Sequence, residues 1–377
     1  MRILTGRSLW RALCWFLGLI FVLMTSFSVA PRAGFSVSAD EGASPLVASS
    51  PILGGWTTYR SDDVDNLASA IAYNSLRGEY LVVWEDHYAA EVAIYARRVD
   101  SKGVALGGAI QVAHYSTYPS LQPDIAYSPV QDKYLVVYYQ DSKPSLPPNV
   151  DYNIIGQPIN GDGTKTETGF LIGGNTNNQR HPAVAYNADD DEFLVVWDEE
   201  QGEGGWKDIW AQRINALDWS SEPGPVCIAT GGSKDRTEPD AAYNGTRGQY
   251  MIAYTRWEGD GDIFAKVLNS NLPDPLSITE IDIVYNTNLQ GDVALAAGPD
   301  EYMVIWQDGP GISWRTIYAR RVTGAGHGPW RGRGVRLDGT RSFGGSAMAW
   351  KIYDARVEMV QRRSHFSAPP RQVNDGP

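Results

Sequence analysis

Glu79-Tyr-Leu-Val-Val-Trp84 decides the fold, because it returns four more times. The copies are Lys133-Tyr-Leu-Val-Val-Tyr138, Glu192-Phe-Leu-Val-Val-Trp197, Gln249-Tyr-Met-Ile-Ala-Tyr254 and Glu301-Tyr-Met-Val-Ile-Trp306. Successive copies stand 54, 59, 57 and 52 residues apart. A shorter run precedes each one: Ile71-Ala-Tyr73, Ile125-Ala-Tyr127, Val184-Ala-Tyr186, Ala241-Ala-Tyr243 and Val293-Ala-Leu295. A third follows past a polar loop, as in Ile94-Tyr-Ala-Arg-Arg-Val99 and Ile317-Tyr-Ala-Arg-Arg-Val322. Segments this short, rich in Val, Ile, Tyr and Trp and bounded by Gly, Pro, Asn and Asp, are strands. Ala105-Leu-Gly-Gly108, Phe170–Gly174 and Val226–Thr230 supply a weaker fourth strand.

The second strand chooses the architecture. Tyr80, Val82 and Trp84 point one way and Leu81 and Val83 the other, yet all are apolar. A sheet with one wet face alternates apolar with polar, so this strand is covered on both sides. Stacked four-stranded blades of a β-propeller provide that cover, and repeats of 50–60 residues suit it. The sequence therefore predicts an all-β propeller over 51–363, with five four-stranded blades and a partial sixth. Pro123, Pro182 and Pro239 are read as standing just before the first strands. Ser346–Trp350 resembles a sixth first strand and Ile352–Val357 a third, while Ile52-Leu-Gly-Gly55 resembles a fourth that closes the ring.

The repeats resemble the blades of secreted bacterial β-propeller proteins, a largely uncharacterised group. Their pattern is Tyr-Leu-Val-Val-Trp-(Glu/Asp)-Asp followed by Ile-Tyr-Gly-Gln-Arg-Val. Tyr80–Asp86 and Ile209–Ile214 match it best, the likeness runs from about Ala68 to Arg341, and Arg256 departs from it. The resemblance implies an extracellular or cell-surface role and carries no catalytic motif.

The chain ends point to the same compartment. Arg2, Arg7 and Arg11, the apolar run from Ala12 to Met24 and Ser28-Val29-Ala30 read as a signal peptide over 1–30, with 31–50 as a linker and 364–377 as a disordered tail. The apolar run is short for a membrane span, so an uncleaved signal anchor is the one membrane contact weighed. The full chain has 32 Lys and Arg against 44 Asp and Glu, and three of those Arg leave with the leader. Such a balance excludes a general nucleic-acid binder. Only Cys227 follows the leader and no two His stand at ligand spacing, which excludes disulfide frameworks and Cys/His zinc sites.

Two sets of acids are candidates for chemistry. Asp124, Asp240 and Asp292 each open a first strand, and carboxylates converging at a channel mouth are what glycoside cleavage needs. Glu258, Asp260 and Asp262 alternate in a loop and are candidate Ca²⁺ ligands, although no cofactor is required by the sequence. Trp206, Trp219, Trp257, Trp314 and Trp330 lie in loops where they are able to stack on sugars or cap a blade edge. No nucleophile elbow, phosphate loop or metalloprotease motif is present. The reading from sequence is a monomeric, secreted, non-enzymatic binding or scaffold module for polysaccharide or a surface protein. Its alternative is a glycoside hydrolase or lyase using carboxylates at the propeller mouth.

Overall fold

A computed structural model describes residues 65–361, apart from 89–90, 115–118, 142–150, 175–176, 203, 222, 273, 312–313, 324–334, 338–347 and 354–355. The signal peptide, the linker, Ile52–Gly55 and the 364–377 tail lie outside the described residues. Each repeat forms one antiparallel sheet whose strands pair in chain order. Blade one comprises β1 (Asp65–Asn74), β2 (Glu79–Tyr88), β3 (Glu91–Asp100) and β4 (Ala105–Ala113). Blade two comprises β5 (Ser120–Ser128), β6 (Lys133–Asp141), β7 (Tyr152–Asn160) and β8 (Phe170–Gly173). Blade three follows with β9 (Gln179–Asn187), β10 (Glu192–Glu200), β11 (Lys207–Asn215) and β12 (Val226–Ala229). In blade four the strands are β13 (Arg236–Asn244), β14 (Gln249–Trp257), β15 (Gly261–Asn269) and β16 (Ile281–Val284). Blade five holds β17 (Leu289–Ala297), β18 (Glu301–Gly311), β19 (Trp314–Thr323) and β20 (Val335–Leu337).

The doubly apolar second strand is buried for the reason its sequence suggests. Leu81, Val83 and Ala96 of blade one pack on Tyr134, Val136 and Tyr138 of blade two. Leu135 and Val137 meet Phe193, Val195 and Trp197 in the same way. Leu194 and Val196 then meet Tyr250, Ile252 and Tyr254. Met251 and Ala253 meet Tyr302, Val304 and Trp306. Each large apolar side chain among them stabilises the fold by about 1.5–3 kcal/mol relative to exposure. The small residue at the centre of the third strand makes room within the blade. A Cβ at Gly156 would come within 2.9 Å of Ile172 and 3.1 Å of Leu135.

Three details differ from expectation. The first strands begin at Ser120, Gln179 and Arg236, ahead of the prolines, which therefore lie inside the strands. There they occupy bulges, where no ladder hydrogen bond is required of them. In blade one the fourth strand runs on to Ala113, well past its Leu-Gly-Gly motif. The sixth-blade segments form a two-stranded sheet, β21 (Met348–Tyr353) paired with β22 (Arg356–Gln361), rather than a first and a third strand.

Candidate active site

The first strands stand side by side in the order β1, β5, β9, β13, β17 and form the inner wall of the propeller. All five carry a bulge at one place, near the end where first strands begin and second strands finish. Gln122-Pro123 opposes Tyr138 in β5, and His181-Pro182 opposes Trp197 in β9. Glu238-Pro239 opposes Tyr254 in β13, and Asp292-Val293 opposes Trp306 in β17. The first residue of each bulge is left-handed, with φ of 50° at Gln122, 52° at His181, 55° at Glu238 and 51° at Asp292. Non-glycine residues rarely adopt this conformation, and bulges re-aim side chains. Here four consecutive blades each set a polar, half-buried side chain at one mouth of the inner wall.

Carboxylates link these bulges from blade to blade. Asp198, buried at the end of β10, accepts the Glu238 backbone N–H at 3.1 Å through Oδ2. Glu238 Oε2 in turn accepts the Asp292 N–H at 3.4 Å. In blade one, Glu85 Oε1 accepts the Gln122 N–H, and its other oxygen lies 2.8 Å from His87 Nε2. His181 Nδ1 lies 2.5 Å from Asp198 Oδ2, and the His181 ring meets Tyr139 edge-on, centroids 6.4 Å apart. The chain of contacts His181–Asp198–Glu238–Asp292 therefore spans blades three, four and five. Buried Asp198 serves as an anchor for backbone and imidazole, while Glu238 and Asp292 remain partly open to solvent.

The predicted carboxylate ring is not one set. Asp124 pairs with Val137 and Asp240 with Ala253, so these two are equivalent. Both are buried, and each holds the next blade. Asp124 Oδ2 accepts the Val184 N–H at 2.8 Å, and Asp240 Oδ2 accepts the Leu295 N–H at 2.8 Å. Asp292 belongs with the bulge residues instead, since Ala294 takes the Asp124 place by pairing with Ile305. The cause is a shorter hairpin in blade five. There Ala297 pairs with Tyr302, where blade two pairs Tyr127 with Tyr134, and the register slips by two residues. Sequence alignment on Ala-Tyr and Ala-Leu conceals that slip.

The calcium candidates also separate. Glu258 forms ion pairs with Lys234 and, at 2.7 Å, with Arg256, so its charge is already balanced. Asp262 lies buried in β15 and accepts the Asn286 N–H at 3.1 Å. Among the described residues no three of His, Cys, Asp and Glu are grouped as a metal would need, and Glu258 and Asp262 are engaged with different partners. Burial, reinforced by Asp260 and Glu258, raises the Asp262 carboxyl from 3.8 to about 6. A carboxyl with a raised folded-state pKa favours the fold most below its unfolded pKa, and the contribution is lost as pH rises through about 6. Asp262→Asn keeps the acceptor for Asn286 and removes the buried charge. The variant is expected to be more stable than the native chain at pH 8, by on the order of 2–3 kcal/mol, and level with it at pH 4. Urea midpoints measured from pH 4 to pH 8 check this, and parallel curves for the two proteins would refute it.

Among the loop tryptophans, Trp206 is 50% exposed. Trp219 packs on Phe170 and Phe193 and so caps a blade edge, while Trp257, at the end of β14, donates through Nε1 to Thr237 Oγ1 at 2.9 Å. Burial pushes the Cys227 thiol up to about 11, which leaves it unsuited to nucleophilic work.

No family model and no curated protein matches this sequence. Solved structures do share its fold. An α-L-arabinofuranosidase from Lactobacillus brevis is 14% identical over 73% of this chain and 94% of that one, with a TM-score of 0.48. An endo-arabinase from Bacteroides thetaiotaomicron VPI-5482 is 12% identical over 68% and 93%, with a TM-score of 0.45. A thermostable family-43 glycoside hydrolase is 10% identical over 81% and 96%, with a TM-score of 0.43. At such identities the likeness is one of fold. Glycoside hydrolases are among the structures it reaches, which tells against the expectation of a non-enzymatic binding or scaffold module.

Proposed function

We propose that the protein is an extracellular glycoside hydrolase acting on a neutral polysaccharide at the mouth lined by the bulge residues. The observation that carries this reading is the linked row Asp198–Glu238–Asp292, in which the Glu238 carboxylate holds the Asp292 backbone, so that two half-buried acidic residues stand adjacent on neighbouring blades. Glycosidic cleavage uses two such groups. One carboxylic acid gives its proton to the leaving oxygen as the bond to the anomeric carbon breaks. The other, ionised, either takes a proton from the attacking water or attacks the anomeric carbon itself. Glu238 and Asp292 fill these two roles. Asp198 acts as a positioning residue, because it is buried and holds both His181 and the Glu238 backbone. Tyr139, beside His181, offers an aromatic edge next to the carboxylates.

Neutral glycans follow from electrostatics. Glu85, Asp198, Glu238 and Asp292 at one mouth repel a polyuronate, which a lyase would require as substrate. The test is a panel of neutral and acidic polysaccharides incubated with the purified protein. New reducing ends from a neutral member are expected. Unsaturated products from an acidic member, or no product from any, would overturn the assignment.

A further inference from the structure

Four inter-blade interfaces are built to one plan, and a fifth is half made. In blades two to five the face carrying Tyr or Phe, then Val or Ile, then Tyr or Trp is sealed by the preceding blade. Tyr134, Val136, Phe193, Val195, Tyr250, Ile252, Tyr302 and Val304 are all 0% exposed. In blade one the opposite face is sealed, with Leu81 and Val83 at 0%. Its Tyr80 and Val82, and Ile71 paired with Val82, remain only half-buried. The first strands explain why: β17 does not pack along β1 as β5 packs along β1 or β17 along β13. A sheet face of aromatic and β-branched residues left partly open to water is a candidate site for a partner.

We propose that this face is covered by the chain's own ends, with the β21–β22 hairpin and residues 52–55 forming a sixth blade between blades five and one. Three observations favour this occupant over a second copy. The hairpin follows blade five in the chain, as a sixth blade must, and a two-stranded sheet is marginal without a surface to lie on. Ile52-Leu-Gly-Gly55 repeats the start of β4, Ala105-Leu-Gly-Gly108, and is thus suited to an outer, fourth-strand place. The connection also fits. Between one blade's fourth strand and the next blade's first, this chain uses six residues (114–119), five (174–178), six (230–235) and four (285–288). The stretch 56–64 before β1 exceeds all of them. The ring would then be held by both termini, and the mouth would gain a sixth wall between Asp292 and Glu85.

The experiment uses the full chain with Tyr80→benzoylphenylalanine, a photo-reactive residue close to Tyr in shape. Equal amounts of isotopically light and heavy protein are mixed, irradiated and analysed by peptide mass spectrometry. Cross-links within one chain to residues 348–361 or 51–56 are expected. Cross-links to Met303 or Ile305 would mean that five blades close directly, and light–heavy pairs would mean a second copy. Either overturns the proposal. Val82→Cys gives a second readout that needs no bulky group. Its thiol is expected to resist alkylation as well as that of Val136→Cys, its equivalent in blade two, with the native chain correcting for Cys227. Rapid alkylation would mean the face is open.

Discussion

Glu238→Gln and Asp292→Asn are each expected to lower kcat/KM on the responsive polysaccharide by about 10²–10⁴, the usual yield of a positioned acid or base. Both exchanges preserve shape, and the amide oxygen of Gln still accepts the Asp292 N–H that Glu238 Oε2 holds at 3.4 Å. Both side chains are half-buried, so the melting temperature should stay close to the native value. The pH profile separates the two roles. Removing the group that works protonated abolishes the alkaline limb of kcat/KM, and removing the one that works ionised abolishes the acidic limb. Asp198→Asn should act differently, since its side chain lies between His181 and the Glu238 backbone. As a positioning residue it should lower kcat with both limbs retained. Native turnover in both Glu238→Gln and Asp292→Asn would remove these carboxyls from the mechanism, whatever else the mouth binds.

The fold was open to reading because its cause is local and repeated. A five-residue strand apolar on both faces has one physical solution, cover on both sides, and five copies at near-equal spacing make that cover a ring of blades. The site was hidden because its causes are not local. Gln122, His181, Glu238 and Asp292 share a left-handed bulge, yet their side chains have no chemistry in common that marks the position. Proline in the next place was the available signal, at Pro123, Pro182 and Pro239, and Val293 breaks even that pattern. The link from Asp198 to Glu238 joins residues of different blades, so it emerges only when the blades are stacked. The two-residue slip in blade five then moved Asp292 into the wrong company.

That slip leaves Asp124 and Asp240 with a structural duty, and the consequence is measurable. Asp124 is 1% exposed, and its Oδ2 accepts the N–H of Val184, itself 1% exposed, at 2.8 Å. Val184 follows Ala183, the residue that stands in blade three where Asp124 stands in blade two. Asp240 and Leu295 repeat the arrangement between blades four and five, with Ala294 at the matching place. An aspartate in one blade thus ties down a backbone N–H beside an alanine in the next. Asp124→Ala deprives that buried N–H of its acceptor, and a buried donor without a partner costs about 1–3 kcal/mol. Removing a buried charge offsets part of this, so the informative comparison is with Asp124→Asn, which loses the charge but keeps an acceptor oxygen. The Ala variant is expected to unfold at lower denaturant than the Asn variant by that 1–3 kcal/mol, and Asp240 should show the same order. Asp124→Asn should also keep its catalytic rate, since the carboxylate faces a neighbouring blade's backbone. Equal stability of the Ala and Asn variants, or lost turnover in Asp124→Asn at native stability, would return Asp124 to the list of catalytic candidates.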